Sequence, residues 1–556
     1  MAYRDTRRSK LNPILFTIAA LLALTWFLIG IPLNRAQAAW LDNEYESALT
    51  TLDRWSKLRL RPAEYEHLYA VVHLSRGDRQ AADPYLRGLA GRSPDWFSAI
   101  RKETAAEKLI ARGLYESFLE YDTAVGQKRE RPSLDLYRAA AQLGANRISE
   151  AQTTFATIDR RAVDQERFNT LRAAIEQRKS GNFPLIFDRE GRTIASYQIA
   201  NQDLVAVNSS FIAFVDESAG PTSIENHLRT IGTATTIHTT LDPQIQRAAI
   251  DALGNRRGSL VAIDPRTHEI LAIASTPGQE QIRNLAFEGQ YEPASVMKPI
   301  TAITALDGGV DFAGIFPLQC DGFIVIDERQ FFDWAQHNEV PGIDDAMAVS
   351  CNVVFGEMGL AVGMEPMRQM ATALGFGSSV DLGLYEIGLG QLVGDVRTDF
   401  QIATFGVGID HYLTNALHLA IIADTIANRG VWTDPVLLRS RQSILGDVVE
   451  SGPDSREPRR IASQQSVERI IESMKAVVTH PAGTGRRAAI DGLDYAMKTG
   501  TAGDGSRGFD AVILGFAPAE NPSIAFAFIA ENVGKAEIEG ATVTQSFLRQ
   551  IRDRLR

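Results

Sequence analysis

The clearest chemical signal in the sequence is a serine followed three positions later by a lysine, Ser295 and Lys298. Pro293 favours the start of a helix just before the serine, and residues i and i+3 of a helix share one face. A serine hydroxyl is a poor nucleophile without a base in hydrogen-bonding reach, and a lysine is such a base only when its pKa is lowered by burial or a nearby cation. Apolar neighbours predict that burial: Val296, Met297, Ile300, Ile303 and Leu306.

Two further segments place polar side chains among apolar ones. In Ser350-Cys351-Asn352, the serine could pass a proton to a leaving nitrogen and the amide could hold a peptide group. Lys498-Thr499-Gly500-Thr501 lies on a predicted strand, where its lysine and hydroxyls would attract a carboxylate and its glycine would let a ligand backbone approach. Alone, a helix cap or a polar edge strand explains each segment better. The three in this order indicate an active-site serine acyltransferase.

The composition argues against other classes of function. The 556 residues carry a net charge of -11, whereas nucleic-acid binding needs a basic face. The nine histidines form no His-Glu-x-x-His pattern and the cysteines no Cys-x-x-Cys pattern, so we expect neither a metal site nor a cofactor. Cys320 and Cys351 are expected to be buried free thiols, although one disulfide is possible outside the cytoplasm.

The N-terminus predicts a membrane anchor. Basic residues precede an apolar run, and residues 12–33 match the roughly 20 residues needed to cross the hydrocarbon layer. Residues 1–11 would stay in the cytoplasm because they are basic, and the bulk of the chain would lie outside it. The competing interpretation is a cleaved signal peptide, since Ala36-Gln37-Ala38 has the small-x-small form of a cleavage site. The length of the apolar run favours the uncleaved anchor.

Residues 40–181 have the periodicity of amphipathic helices. Two similar helix–turn segments, around Gly77 and Gly144, are offset by about twice the 34-residue tetratricopeptide period. A tetratricopeptide-like array would offer a groove to a protein partner. A non-repeating helical domain, acting as a spacer, fits the pattern equally well.

The pattern changes near residue 182. Residues 183–254 form a linker or pedestal, with two strands around a charged turn at 188–192 and a helix within 239–253 that is capped by Thr240 or Asp242. In residues 255–556, strands are predicted at 259–263, 269–274, 495–502, 509–517 and 524–531. They enclose a helical pattern at 294–429 and precede a final helix at 542–555. This order predicts an α+β domain with one antiparallel sheet that encloses a helical subdomain.

The ordered Ser-x-x-Lys, Ser-x-Asn and Lys-Thr-Gly motifs resemble the transpeptidase domain of penicillin-binding proteins. Segments 188–192, 239–246, 262–272 and 510–516 are also similar to that family, so the resemblance covers residues 183–556. The sequence contains no Glu-Asp-x-x-Phe-x-x-His-x-Gly stretch of a linked glycosyltransferase. The resemblance therefore implies a monofunctional, class B protein of the bacterial inner membrane.

The resemblance also implies roles for the motif residues. Ser295 would attack the penultimate D-alanine of a peptidoglycan stem peptide, with Lys298 as its base. Ser350 would relay a proton to the departing D-alanine, Asn352 would bind the substrate amide, and Lys498 would support the electrostatics around Ser350 and the substrate carboxylate. An amine of a neighbouring stem peptide would resolve the acyl-enzyme into a cross-link.

The Lys-Thr-Gly-Thr strand would complete the site. Thr499 and Thr501, on either side of Gly500, would hold the substrate carboxylate, and the N–H groups of Ser295 and Thr501 would form the oxyanion hole. β-Lactams would mimic the substrate and trap the serine. Relatives usually have Gly-Gln-Gly and then Thr-Pro where this chain has Gly406-Val407-Gly408 and Thr414-Asn415. The resemblance therefore does not predict the contacts of that loop.

Other functions fit the same motifs. A D,D-carboxypeptidase would use the same motifs with water as the acceptor. A β-lactam sensor or a non-catalytic scaffold of the cell wall is an alternative of another class. A class A β-lactamase is disfavoured, because no Glu-x-x-x-Asn stretch lies between Ser350 and Lys498.

Overall fold

The computed structural model describes residues 31–56, 63–89, 99–126, 132–201, 203–207, 209–219, 222–225, 235–452, 457–503 and 508–555. Its contacts divide the chain into two compact units. One comprises residues up to Ser180 together with Gln442–Glu450, and the other comprises Gly181–Arg441 and Ser451–Arg556. The first unit is mainly helical, and the second mixes helices and strands.

The first unit consists of consecutive helix pairs. Its helices are Ile31–Leu41, Tyr45–Ser56, Ala63–Ser75, Arg79–Leu89, Ala99–Ala111, Tyr115–Val125, Pro132–Gly144, Ile148–Ala156 and Gln165–Lys179. The four turns that separate the paired helices each contain a residue with positive φ: Asn43, Gly77, Gly113 and Asn146. A left-handed residue reverses the chain within a short turn, which lets each helix pack on the one before it.

The predicted tail and anchor, residues 1–33, lie outside the described residues except for the last three positions. Ile31 begins a helix that ends at Leu41. Among the described ranges, no helix is both long enough and apolar enough to cross a membrane.

The second unit begins with a mixed sheet. Asn182–Phe187 pairs antiparallel with Thr193–Gln198, as predicted, and parallel with Thr236–Thr239. The helix predicted within 239–253 spans Pro243–Leu253. Its N-cap is Asp242, whose carboxylate accepts hydrogen bonds from the first free backbone N–H groups. Asp203–Ala206 pairs with Thr193–Gln198, and Ile212–Val215 is a single helical turn.

A five-stranded antiparallel sheet forms the core of the second unit. Its strands are β1 (Arg257–Asp264), β2 (Glu269–Pro277), β3 (Ala496–Ala502), β4 (Asp510–Ala517) and β5 (Ile524–Ala530). They lie in the order β3-β4-β5-β1-β2, so strands from both ends of the unit meet in one sheet, as the sequence predicts. β5 is buried along its whole length, and β3 is the outer strand beside β4. The last helix, Glu539–Gln550, contacts β4.

Helices fill the sequence between β2 and β3. They are Leu285–Glu288, Lys298–Asp307, Ile343–Val349, Asn352–Val362, Met364–Ala373, Asp399–Val407, Ala416–Ala427 and Gln464–Thr479. The predominantly helical prediction for 294–429 missed short strands, notably Leu318–Cys320, Phe323–Ile326, Arg329–Phe332 and Asn338–Val340. Strands of three or four residues are too short for a periodicity that the sequence could show.

The remaining strands are also short. They are Ser379–Asp381, Glu386–Gly388, Gln391–Leu392, Tyr412–Leu413, Val431–Trp432, Leu438–Gln442, Val448–Ser451 and Arg459–Arg460. One buried cluster of aliphatic and aromatic side chains joins the five-stranded sheet to the helices. The three motifs therefore lie on a packed scaffold.

Candidate active site

Ser295 lies on a turn of 3₁₀ helix, Ala294–Met297, that continues into the helix Lys298–Asp307. The residue before it, Ala294, has a φ of 52°, a left-handed conformation that is uncommon without glycine. Ser295 is partly exposed on the wall of an open cleft, whereas Lys298 is fully buried. The predicted helix start is confirmed, and its first turn is tighter than an α-helix.

Ser350 and Asn352 lie where two helices meet. The helix Ile343–Val349 ends at Ser350, which has a φ of 56° and a ψ of 44°. Asn352 begins the next helix, with Cys351 as its N-cap. The left-handed residue reverses the chain, so the side chains of Ser350 and Asn352 both reach Lys298. Its Nζ lies 3.2 Å from Ser350 Oγ and 2.7 Å from Asn352 Oδ1.

The Lys-Thr-Gly-Thr motif lies on β3, as predicted. Lys498 Nζ donates to Ser350 Oγ at 2.8 Å and to the carbonyl oxygen of Thr499 at 2.8 Å. A Cβ atom at Gly500 would lie 2.8 Å from the carbonyl oxygen of Pro293 and 3.3 Å from the backbone nitrogen of Ser295. Only glycine lets the strand approach the serine turn this closely.

Lys298 holds three oxygen atoms at once. Its Nζ donates to the carbonyl oxygen of Ser350 at 2.7 Å, in addition to Ser350 Oγ and Asn352 Oδ1. Three acceptors match the three N–H groups of an ammonium. A neutral amine retains two N–H groups and gains a lone pair, so loss of one proton would free the nitrogen to accept a hydrogen bond.

Burial shifts the charge of both lysines towards the neutral form. Removal from water lowers the pKa of Lys298 to about 8, although the negative charge of Asp333 opposes the shift. Burial, reinforced by the positive charge of Lys298, lowers the pKa of Lys498 well below its usual range. The pocket therefore favours an amine that can take up a proton near neutral pH.

The two threonines of β3 have different surroundings. Thr499 is buried, and its hydroxyl donates to Thr484 Oγ at 2.7 Å. Thr501 is exposed and lines the cleft, and its Oγ accepts a hydrogen bond from the N–H of Ala536 at 3.1 Å. Of the two, Thr501 is the one on the cleft surface. The sequence did not predict Thr484, because an isolated buried threonine carries no spacing signal.

The cleft beside Ser295 has a volume of about 1190 Å³. Its wall contains Glu531, whose carboxylate accepts hydrogen bonds from Tyr291 Oη at 2.7 Å and Arg257 Nε at 2.9 Å. Further charged residues line it: Arg283, Glu288, Glu292, Asp410 and Asp510. A space of this size and polarity suits an extended polar ligand.

The Gly406-Val407-Gly408 segment, where a loop was expected, is the end of the helix Asp399–Val407 and packs against the serine turn. Gly408 has a φ of 89°, and a Cβ atom there would lie 2.2 Å from the carbonyl oxygen of Ala294. The carbonyl oxygen of Gly406 accepts a hydrogen bond from Thr301 Oγ at 2.7 Å. The end of this helix thus contacts the chain at Ala294, just before Ser295, and at Thr301, on the helix that follows it.

Trp334 is a neighbour of the site that sequence reasoning missed. The residue is 48% exposed, and its Nε1 donates to the carbonyl oxygen of Val349 at 3.0 Å. Lys535 Nζ lies 5.6 Å from the ring centre. A single tryptophan in a loop gives no sequence signal for such a position.

A family model described as the penicillin binding protein transpeptidase domain matches residues 258–553. The chain belongs to this family. The matched transpeptidase domain spans β1 to the last helix, and it contains all three motifs that the structure brings together around Ser350.

Curated relatives carry the same domain. The peptidoglycan D,D-transpeptidase PbpA of Mycolicibacterium smegmatis is 29% identical over 344 residues, which cover 54% of this chain and 67% of the relative. The peptidoglycan D,D-transpeptidase MrdA of Acinetobacter baumannii is 28% identical over 411 residues, which cover 62% of this chain and 60% of MrdA. The chain thus spans about two thirds or less of these relatives.

Solved structures share the fold. The penicillin G acyl-enzyme complex of penicillin-binding protein A from M. tuberculosis superposes with a TM-score of 0.58 at 23% identity, and covers 67% of this chain and 99% of that one. This likeness confirms the predicted α+β transpeptidase fold.

Proposed function

We propose that the chain is a serine-type peptidoglycan D,D-transpeptidase that binds penicillin at Ser295. The observation that carries the proposal is one hydroxyl, Ser350 Oγ, held between two buried lysines beside a partly exposed serine. Relatives named as peptidoglycan D,D-transpeptidases support it. The same arrangement suits acyl transfer, because it supplies a nucleophile, a base of lowered pKa and a second proton carrier.

In the acylation step, neutral Lys298 takes the proton of Ser295 while Oγ bonds to the carbonyl carbon of the penultimate D-alanine. The N–H groups of Ser295 and Thr501 stabilise the oxyanion, since β3 runs next to the serine turn. Ser350 then passes a proton to the nitrogen of the departing D-alanine, and Lys498 supports that transfer. The amine of a second stem peptide then attacks the ester carbon, the bond from that carbon to Ser295 Oγ breaks as the new amide forms, and the proton that the amine loses returns to Ser295 Oγ.

In this proposal, β3 and Asn352 bind the substrate. As the outer strand, β3 can pair with an extended peptide, and Thr501 presents its hydroxyl to the terminal carboxylate. Thr499 affects the substrate only indirectly, because its hydroxyl donates a hydrogen bond to Thr484. Asn352 binds a substrate amide once Lys298 no longer donates to its side-chain oxygen.

Mass spectrometry of the intact chain after exposure to labelled penicillin tests the proposal. One adduct is expected on the wild type and none on Ser295→Ala, whereas Ser379→Ala, a change on an exposed strand, should retain it. An adduct that survives Ser295→Ala contradicts the assignment. Absence of an adduct on the wild type would instead favour the non-catalytic scaffold.

The fate of the acyl-enzyme needs a second assay. With a pentapeptide substrate and an acceptor amine, a transpeptidase yields a cross-linked product. A product that contains only the trimmed tetrapeptide would identify a D,D-carboxypeptidase instead.

The helical unit is proposed to be a tetratricopeptide-like array that binds a cell-wall protein. The turn residues Asn43, Gly77, Gly113 and Asn146 recur close to the 34-residue period. At the same offset before each lies an alanine with 1% exposure or less: Ala36, Ala70, Ala106 and Ala139. Small residues at such repeated positions let paired helices approach closely.

Replacing each of these alanines by leucine tests the repeat. Similar losses of stability, about 1–3 kcal/mol for each change, are expected because every one overpacks an equivalent helix contact. Urea unfolding measures them, with Ala81→Leu, which is partly exposed, as the control. Unrelated values at the four positions would indicate a non-repeating bundle.

Residues 12–33 are proposed to anchor the chain in the inner membrane, with the cleft outside the cytoplasm. The length and the basic flank of the apolar run support this. Sequencing the mature N-terminus decides it, since Ala39 as the first residue would establish cleavage.

A further inference from the structure

Lys535 lies between β5 and the last helix, on a segment that is bonded to the cleft strand β3. The backbone N–H of the next residue, Ala536, donates to Thr501 Oγ at 3.1 Å. Only two covalent bonds separate that nitrogen from Lys535 Cα, so Lys535 Cα lies within about 6 Å of Thr501 Oγ. The carbonyl oxygen of Lys535 accepts hydrogen bonds from the N–H groups of Ile538 and Glu539 at 3.0 and 3.1 Å. The backbone of this lysine is therefore fixed beside Thr501.

The side chain of Lys535 extends from β3 towards the Ser350 turn. Its Nζ lies 5.6 Å from the centre of the Trp334 ring. Nε1 of the same ring donates to the carbonyl oxygen of Val349, the residue before Ser350, at 3.0 Å. Since the lysine begins beside Thr501 and its ammonium contacts a ring that is hydrogen-bonded to the Ser350 turn, its side chain crosses the opening between the two motifs.

The charges that line the cleft are mostly negative. Five acidic side chains and two arginines form its wall. Both arginines are already paired, because Arg257 Nε lies 2.9 Å from a carboxylate oxygen of Glu531 and Arg283 Nη2 lies 3.5 Å from one of Glu288. A substrate that ends in a carboxylate therefore needs a further cation near Thr501.

Lys535 is suited to supply that positive charge. Lys498 is fully buried, and burial lowers its pKa well below the usual range, which favours its neutral form. Lys535 is exposed, and among the described residues its ammonium contacts the Trp334 ring and no carboxylate. It can thus reach a bound anion without first breaking an ion pair.

We propose that Lys535, together with the hydroxyl of Thr501, binds the terminal carboxylate of the donor stem peptide and the corresponding carboxylate of a β-lactam. This role rests on the proposed transpeptidase function, and it adds the cation that a neutral hydroxyl does not supply. A charge-assisted hydrogen bond is roughly twice as strong as a neutral one. Trp334 is a positioning residue, because its ring holds the ammonium over the opening and so reduces the side-chain freedom lost on binding.

Acylation of Ser295 in the full chain by two forms of one chromogenic cephalosporin, the free carboxylate and its methyl ester, tests the proposal. Saturation kinetics separate the dissociation constant of the first complex from the limiting acylation rate. Lys535→Gln is expected to raise the dissociation constant of the carboxylate form about ten-fold, because a bond between two charged groups is lost. The limiting rate, and both constants of the ester, should not change. Lys535→Arg keeps the charge and should bind the carboxylate form nearly as well as the wild type does.

A second pair of variants tests the positioning role of Trp334. Trp334→Leu should weaken binding of the carboxylate form about three-fold and leave the ester unaffected, because the cation–π contact is lost. Trp334→Phe keeps an aromatic face and should recover most of the affinity. Lys475→Gln is the charge-matched control, because Lys475 pairs with Glu472 and Asp494 and does not line the cleft.

Equal losses for the carboxylate and the ester in Lys535→Gln would overturn the proposal, because Lys535 would then act on the shape of the site and not on the carboxylate. Unchanged binding of both forms would overturn it as well. In either case acylation of Ser295 itself would still support the proposed function. If neither form acylates the wild type, the proposed function fails and the role of Lys535 fails with it.

Discussion

The buried cationic side chains of the two units have different partners. In the helical unit, Arg138 is largely withdrawn from solvent and pairs with two carboxylates, Asp122 and Asp135. In the transpeptidase unit, Lys298 and Lys498 are fully buried, and among the described residues their hydrogen bonds go to neutral oxygen atoms.

The different partners give the buried cations different roles, stability for the arginine and catalysis for the lysines. A paired cation recovers part of its desolvation cost from its partners, whereas a buried lysine without a carboxylate lowers that cost by giving up its proton. The helical unit therefore keeps its charge, and the transpeptidase unit acquires a base. The following changes test that contrast, beginning with the largest expected effect.

Replacing Lys298 by methionine should abolish the base and spare the fold. The rate of Ser295 acylation by penicillin is expected to fall by about 10²–10⁴, the usual contribution of general base catalysis. Urea unfolding should show unchanged or increased stability, because an apolar chain of similar size replaces a buried amine.

The matched change is Arg138→Met in the helical unit. It leaves Asp122 and Asp135 without their cation, so the chain should lose stability by about 3 kcal/mol while acylation stays within two-fold. If Lys298→Met instead destabilises the chain and leaves acylation unchanged, Lys298 is structural and the contrast fails.

The pH dependence of acylation should follow the proton of Lys298. Since burial lowers the pKa of this lysine to about 8, its reactive neutral form grows with pH up to that value. The acylation rate is expected to rise about ten-fold per unit below pH 8 and to level off above it. Stopped-flow measurement with a chromogenic β-lactam records the profile.

The same lowered pKa also predicts the direction in which the stability of the folded chain changes with pH. Between about pH 8 and the usual lysine range the unfolded chain binds more protons than the folded one, so stability should increase with pH in that window. A flat acylation profile from pH 6 to 9 would show that Lys298 does not supply the base.

The smallest effect is expected at the glycine that supports the serine turn. Gly408→Ala should slow acylation about five- to ten-fold, because its Cβ would lie 2.2 Å from the carbonyl oxygen of Ala294 and displace Ser295. Gly377→Ala is the matched control, since Gly377 also has a positive φ but has open space around its Cβ position. If the two variants are acylated at the same reduced rate, the strain of a positive φ slows acylation, and the contact with Ala294 does not.

Predictability also differed between the units. Local periodicity was sufficient to predict that the first unit is helical, because each helix packs on its neighbours in sequence. In the second unit, the hairpin of β1 and β2 and the strands β3 to β5 were predicted from apolar runs and are confirmed. The short strands around Asp333 were missed, because long-range packing and not local pattern forms them.

The sequence by itself determined the chemistry of the site. The types and order of Ser295, Lys298, Ser350, Asn352 and Lys498 indicated acyl transfer, because the three segments occur together, in this order, among apolar residues. Only the tertiary structure decided that both lysines hold Ser350 Oγ, that Thr501 lines the cleft while Thr499 is buried, and that Cys320, Asp333 and Cys351 converge. Such distances depend on how segments far apart in the chain pack against each other, and residue spacing along the sequence does not encode them.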